Sequence, residues 1–248
     1  MLWRKTQDPY RILVSEVMLQ QTQVDRVIDK FEQFISAFPD FKALHRASLA
    51  EVYSIWTGLG YNRRALALKK IARIVVDDFN GRLPDSIEPL SSLPGIGKAT
   101  ASSLCAFAFN KPTVFIETNI RTVFIHRFFK DRASVDDSEI APIAEKALDI
   151  KDPYKWYSAL MDYGTMLKKR YPGLTRKSSR YKRQSPFHGS RRQIRGMLLR
   201  MLLESPKQTE TVLMKKIGTE KKELLHEILA ELIVEGMIKC DRGKYSIG

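Results

Sequence analysis

Apolar side chains recur at every third or fourth position along most of the chain, and strict alternation is nearly absent before residue 236. That period predicts amphipathic helices rather than strands. Asp8-Pro9 reads as a helix start, with Asp8 as N-cap and Pro9 in the first turn. Helices are predicted over residues 9–20, 23–38, 49–57, 63–80, 98–109, 118–130, 138–148 and 153–169. Pro39, the Gly58-Leu59-Gly60 run, Gly81, the LPGIG turn at 93–97 and Pro153 punctuate them. The expected fold class is all-α.

The pattern breaks at 168–195, KKRYPGLTRKSSRYKRQSPFHGSRRQIR, which is rich in Lys and Arg and has no acid. Tyr171, Tyr181 and Phe187 are interleaved with the charges. This is either a solvated linker or a basic arm that lies along a phosphate backbone and offers rings for stacking. Periodicity then resumes. Ile194, Met197, Leu198, Met201 and Leu202 form one apolar face, and Val212, Leu213 and Ile217 a second. Leu224, Leu225, Ile228, Leu229, Leu232 and Ile233 form a third. GMIKCDRGKYSI follows as a hairpin turning at Asp241–Gly243. Three helices and a hairpin outline a winged helix. Its third helix carries Glu223, Glu227 and Glu231, which suits packing or protein contact as well as DNA reading. The expected organisation is a helical domain over 1–169, a basic linker or arm over 170–190 and a winged-helix-like unit over 191–248.

Charge adds a partner. The 248 residues carry a formal net charge of +14, which points to a polyanion, either nucleic acid or an acidic membrane surface. No apolar run reaches the length of a membrane span and the N-terminus does not read as a signal peptide, so nucleic acid is favoured over membrane. The two cysteines, Cys105 and Cys240, make neither a disulfide framework nor a metal site. A reducing intracellular setting, cytoplasm or nucleoid, is expected, with no metal.

Several short stretches carry candidate chemistry. In LPGIGKATA, residues 93–101, Gly95 and Gly97 allow close backbone approach, and the next helix offers free N–H groups beginning at Lys98. This reads as a helix-hairpin-helix element that holds a DNA phosphate without reading sequence. Glu16 lies on or beside the apolar stripe of the first helix, either as an edge residue reaching solvent or as a desolvated acid with a raised pKa. LQQT, residues 19–22, closes that helix, and Gln21 and Thr22 either cap it or enter a base stack. GLGYNRRA, residues 58–65, sets Tyr61 in a glycine-rich turn before Arg63 and Arg64, as a surface turn or as an aromatic wedge beside phosphate-binding arginines. In VFIETNIRTVF, Glu117 stands between an apolar run and a helix, where a carboxylate is costly unless it is paired or used.

WRKTQDPYRILVSEVMLQQTQV, IWTGLGYNRRA, LPGIGKATA and ETN occur in one order and spacing, and SALMDYGTML continues them. Over roughly residues 2–167 the chain resembles the MutY-type adenine DNA glycosylases of the helix-hairpin-helix superfamily. The resemblance implies two helical subdomains with a cleft and an enzyme of base excision repair. Such an enzyme flips a mispaired adenine, opposite guanine or 8-oxoguanine, and hydrolyses its glycosidic bond. It also implies roles. Glu16 matches the acid that protonates the leaving base, Asn119 the asparagine supporting the sugar site, and Trp3 and Arg4 pocket residues near the adenine. Gln21 matches the glutamine that wedges into the duplex, Tyr61 the tyrosine that intercalates beside the opposing lesion, and Gly95 and Gly97 the phosphate hairpin. The implied partner is mispaired or damaged duplex DNA, bound by a monomer.

The chain departs from that pattern at four places. Glu117 stands where the family carries aspartate; it either takes that role, facing the developing sugar cation, or only caps the next helix. Ala99 stands where bifunctional relatives carry a Schiff-base lysine, and Lys98 is one residue early, so lyase chemistry is not expected. KKRYPGLTRKSSRYKRQ, without cysteine, follows the MDYG helix where most of the family holds an iron–sulfur cluster, so no cluster is expected. The family's C-terminal domain that checks for 8-oxoguanine is not matched, which leaves lesion recognition to residues such as Gln21, Thr22 and Tyr61. A glycosylase for another base, a mispair-binding protein without catalysis and a winged-helix regulator remain as alternatives.

Overall fold

The computed structural model describes residues 1–184, 186–218 and 222–248. Its helices are α1 (Pro9–Leu19), α2 (Val24–Ala37), α3 (Phe41–Arg46), α4 (Leu49–Trp56), α5 (Arg63–Asp78), α6 (Ile87–Ser92), α7 (Lys98–Phe109), α8 (Thr118–Phe128), α9 (Asp137–Ala147) and α10 (Pro153–Arg170). Beyond them come α11 (Arg191–Glu204), β1 (Gln208–Thr209), α12 (Glu210–Ile217), α13 (Lys222–Val234), β2 (Ile238–Asp241) and β3 (Lys244–Ile247). The eight helices expected in the body are all present within one or two residues at most ends. The short helices α3 and α6 were not expected: six residues hold too little periodicity to register, and α3 owes its start to the Asp40 side chain, which accepts from the Ala43 N–H at 2.7 Å.

Two compact units share the chain. Unit 1 comprises Met1–Glu16 and Leu83–Gln184, and unit 2 comprises Val17–Arg82 and Ser185–Gly248. The boundaries therefore differ from a division at 169 and 190. The physical reason is packing between segments distant in sequence: α11 lies against α4, which joins the C-terminal helices to unit 2. The basic stretch is likewise divided, and its first part is no free linker. The Ser179 N–H donates to the Val135 carbonyl at 3.0 Å, and the Val135 N–H donates to the Lys177 carbonyl at 2.8 Å. The Ser179 hydroxyl donates to Asp136 at 2.6 Å, Arg180 pairs with Asp137 at 3.5 Å, and Tyr171 stacks on His126.

Unit 1 is organised around α8 and α10. Ile120, Phe124 and Ile125 of α8 are buried with Phe115 and Tyr157, whose rings stack with centroids 4.1 Å apart. The Tyr157 hydroxyl donates to the Thr113 carbonyl at 2.7 Å, so this large ring buries no unsatisfied polar atom. Gly164 sets how closely the two helices approach. A Cβ there would lie 2.3 Å from the carbonyl oxygen of Asn119.

In unit 2, Phe34 of α2 meets Trp56 of α4 edge to face, and Leu44, Leu68 and Ile71 complete a buried core. The C-terminal part runs α11-β1-α12-α13-β2-β3. Its sheet runs β1-β3-β2, antiparallel throughout. Arg242 and Gly243 both have positive φ, 47° and 73°, as a two-residue hairpin turn between right-twisted strands requires. Leu198, Leu213, Leu225, Ile228 and Leu232 are buried, while Val212 and Ile233, expected on apolar faces, are exposed.

Candidate active site

Helix α1 is apolar on most sides: Ile12, Leu13, Val14, Val17 and Met18 are all buried. Glu16 interrupts that surface. The Ser103 hydroxyl, from α7, donates to its Oε2 at 2.5 Å. Burial pushes the Glu16 pKa up to about 7. The Ser103 bond and the Arg4 charge oppose the rise, and the Glu117 charge adds to it. A carboxyl with that pKa carries its proton on about half of the molecules near neutral pH. Glu16 is half-buried rather than an edge residue in full solvent.

Glu117 is the N-cap of α8. Its Oε1 accepts from the backbone N–H groups of Asn119 at 2.6 Å and Ile120 at 2.9 Å. Ser, Thr, Asp and Asn are the usual N-caps, and glutamate reaches the same donors with a longer arm. Its Oε2 is not used by the cap and stands 3.4 Å from the Asn119 side-chain nitrogen. Burial raises the Glu117 pKa, against the two backbone bonds and the Lys168 and Arg121 charges. Arg121 is itself held by Asp137 at 2.6 and 2.8 Å. Capping and a chemical role are therefore compatible, because they fall on different oxygens.

Asn119 is fixed from three sides: Glu117, the Met161 sulfur at 3.6 Å, and the Thr165 hydroxyl, which donates to Oδ1 at 3.4 Å. Trp3 is buried. Arg4 donates to Asp162 at 2.6 Å, and its carbonyl accepts from the Tyr154 hydroxyl at 2.6 Å. These bonds tie the turn Leu2–Lys5 to α10. Unit 1 thereby gathers Trp3, Arg4, Glu16, Glu117 and Asn119, with Arg4, Glu16 and Glu117 within electrostatic range of one another. Ser103, which bonds Glu16, and Gly164, which lies against Asn119, carry no expectation from the sequence. Ser103 carried no signal among other small residues, whereas Gly164 inside a helix was a visible anomaly.

Unit 1 also contains the glycine hairpin. Gly95 has φ 76°, Ile96 is buried, and Gly97 is the N-cap of α7. A Cβ on Gly97 would meet nothing within 4 Å, so no internal packing demands glycine there. Gly97 and Lys98 are exposed at the helix N-terminus.

Gln21, Thr22, Tyr61 and Arg63 belong to unit 2. Gln21 and Tyr61 both take left-handed backbone, φ 54° and 47°. Arg64 holds their two turns together. It is buried and donates from Nη1 to the carbonyls of Val17 at 2.9 Å, Met18 at 2.7 Å and Gln20 at 2.6 Å. Its Nη2 donates to the Thr22 hydroxyl at 3.0 Å and the Gly60 carbonyl at 3.1 Å. It thus terminates α1, as a cation at a helix C-terminus does. Burial lowers its pKa to about 10, which still leaves it charged. In the sequence Arg63 and Arg64 read alike, either on a surface turn or as phosphate-binding arginines; the buried one is structural. Arg63 is exposed and pairs with Glu235 at 2.5 Å.

Among the described residues, no group of three or more His, Cys, Asp or Glu is placed to hold a metal ion. Cys105 is buried in unit 1 and Cys240 is exposed in unit 2. No described helix is long and apolar enough to cross a membrane.

Residues 14–148, more than half of the chain, match the model of the HhH-GPD superfamily base excision DNA repair proteins. The chain belongs to that superfamily. Among HhH-GPD relatives, a protein of Buchnera aphidicola subsp. Baizongia pistaciae named adenine DNA glycosylase is 35% identical over 169 residues, 66% of this chain and 47% of that protein. An adenine DNA glycosylase of Mus musculus is 36% identical over 159 residues, 62% of this chain and 31% of that protein. This HhH-GPD chain thus spans half or less of the length of these curated relatives. Of solved structures, that of a thermostable thymine-DNA glycosylase superposes with a TM-score of 0.60 at 27% identity, covering 67% of this chain and 78% of the other. The all-α reading and the superfamily expected from the motifs agree with these matches.

Proposed function

We propose that this HhH-GPD protein is a monofunctional DNA glycosylase that flips a mispaired adenine, opposite guanine or 8-oxoguanine, out of duplex DNA and hydrolyses its N-glycosidic bond. The observation that carries the reading is the pair of carboxyls in unit 1, one with a pKa of about 7 and the other with one oxygen outside the helix cap, met there by the Asn119 side-chain amide. The names of its relatives support adenine as the base. Adenine leaves poorly until N7 is protonated. Neutral Glu16 donates that proton while the bond to C1′ breaks and its electron pair passes to the base. Positive charge then builds on the sugar, and the ionised Glu117 offsets it through Oε2. Water supplies the hydroxyl that ends on C1′, and its proton passes to a carboxylate. Asn119 holds Glu117 in place. Gln21 fills the space left by the flipped base, Tyr61 inserts beside the opposing base, and Gly95, Gly97 and Lys98 hold a phosphate.

The enzyme works as a monomer and without an iron–sulfur cluster. Such a cluster takes four ligands, mostly thiolates, and this sequence has two cysteines. Ala99 supports hydrolysis without lyase chemistry.

The test is base release, scored by alkali cleavage, from duplexes with adenine opposite guanine, 8-oxoguanine, cytosine or an abasic site, and from uracil, thymine and hypoxanthine mispairs. Release confined to adenine opposite guanine or 8-oxoguanine is expected. Release of thymine instead of adenine supports the second reading, a glycosylase for another base, which the 27% identity to a thymine-DNA glycosylase favours. Absence of release from every duplex sinks both.

A further inference from the structure

Unit 2 contains a groove of about 770 Å³ lined by seven arginines and a single acid, Glu231. One wall is the turn from Gly58 to Arg64, and the other is α11, the first helix of the winged-helix part. Glu227 and Glu231 of α13, whose sequence suits packing or protein contact as well as DNA reading, and Glu235 just beyond it face these arginines. Arg191 pairs with Glu227 at 2.8 Å and Glu231 at 2.6 Å, and Arg195 pairs with Glu231 at 3.0 Å and with Glu235. Three acids hold the guanidinium groups in place without cancelling seven charges. Arg192 donates to the Tyr61 hydroxyl at 2.6 Å, and its guanidinium stands 5.2 Å from the Tyr61 ring and 5.5 Å from the Phe187 ring. Arg200 is exposed and forms no ion pair among the described residues.

A second observation points to a ligand. Tyr53 lines the groove, is 2% exposed, and its hydroxyl has no hydrogen-bond partner among the described residues. Buried hydroxyls are ordinarily satisfied, and an exception calls for a missing partner.

We propose that this groove binds an unstacked nucleotide of a DNA strand, an inference that rests on the DNA-glycosylase reading. Guanidinium groups match phosphate oxygens in pairs, and aromatic rings accept any base face. Arg192 and Arg200 take phosphate, Tyr61 and Phe187 take the base, and the Tyr53 hydroxyl meets a polar edge. The winged-helix part therefore engages DNA through its first helix. Its third helix, spent on holding α11, is not the reading element.

Fluorescence anisotropy of the full chain with a labelled single strand tests this, with a mispaired duplex beside it. Arg192→Ala combined with Arg200→Ala is expected to weaken strand binding about tenfold and to lower the salt slope by about 1.4, as loss of two phosphate contacts predicts. Arg192→Lys should restore part of the affinity. Tyr53→Phe should weaken binding severalfold without lowering the melting temperature, because its hydroxyl has no partner to lose. Strand binding by the double variant equal to that of the parent overturns the proposal, and an unchanged Tyr53→Phe removes the hydroxyl from it. Displacement of the strand by equimolar dAMP would assign the groove to free nucleotides instead. Glu16→Gln separates the two readings: it should abolish base release and leave groove-dependent binding intact. A chain that releases no base yet shows that binding keeps the groove and loses the glycosylase.

Discussion

Glu16 couples the chemistry of the site to the stability of the fold. Burial lifts its pKa from 4.5 to about 7, so the folded chain binds this proton more tightly than the unfolded chain does. The resulting stabilisation is complete below pH 4.5 and is lost as pH rises through about 7, a difference of about 3 kcal/mol. Glu16→Gln should therefore melt several degrees above the parent at pH 8 and level with it at pH 4, by calorimetry. The same variant should lose base release by about 100- to 10,000-fold, as removal of a general acid does. In the parent, the single-turnover rate should fall as pH passes above about 7. A flat rate between pH 6 and 9 would remove Glu16 from proton donation. Glu117 offers a cleaner division. Glu117→Gln keeps an oxygen for the Asn119 and Ile120 N–H groups, so the melting temperature should hold while base release falls. Glu117→Ala should lose both, with about 1 kcal/mol for the missing cap. Equal activity in Glu117→Gln and the parent would leave Glu117 only its cap.

At the scale of elements, the site depends on how α8, α10 and α1 are held. Gly164→Ala drives a methyl group into the Asn119 carbonyl, and both atoms lie on helices that cannot yield alone. The expected cost is about 1–3 kcal/mol in denaturant unfolding, with lower activity because Asn119 shifts. An unchanged midpoint would mean that the helices slide apart freely. Arg64→Met leaves three carbonyls near the end of α1 without their common donor. A loss of about 2–4 kcal/mol is expected, more than a rim arginine could produce. Arg63→Met, its exposed neighbour, should cost less than about 1 kcal/mol. The two arginines are adjacent in sequence and look alike there, and only their burial tells them apart.

For the molecule as a whole, the charge of +14 demands that DNA affinity fall steeply with salt. Measured binding to mispaired duplex should drop by at least tenfold between 50 and 200 mM salt, and a salt-independent affinity would contradict a phosphate-led contact. Much of this molecule is legible in one dimension. Helix periods depend on local residue order, which is why the eight body helices and the hairpin at Arg242-Gly243 could be read directly. The glycine hairpin and the acid at Glu16 were legible too, because glycines before a helix and a lone acid in an apolar stripe break a local pattern. The pKa of Glu16, the sharing of Glu117 between the helix cap and the Asn119 side chain, and the clasp of Arg64 were not. Each depends on groups distant in sequence that burial brings together, such as Ser103 beside Glu16 and the Val17 carbonyl beside Arg64. The division into units was decided in the same way. Local pattern sees a linker where composition changes, but the tertiary structure joins α11 to α4 and leaves residues 170–184 with unit 1. Local residue order sets the helices, the charge and the candidate acids. Tertiary packing alone decided which of them are desolvated, because desolvation is a property of neighbours that the local order of residues does not contain.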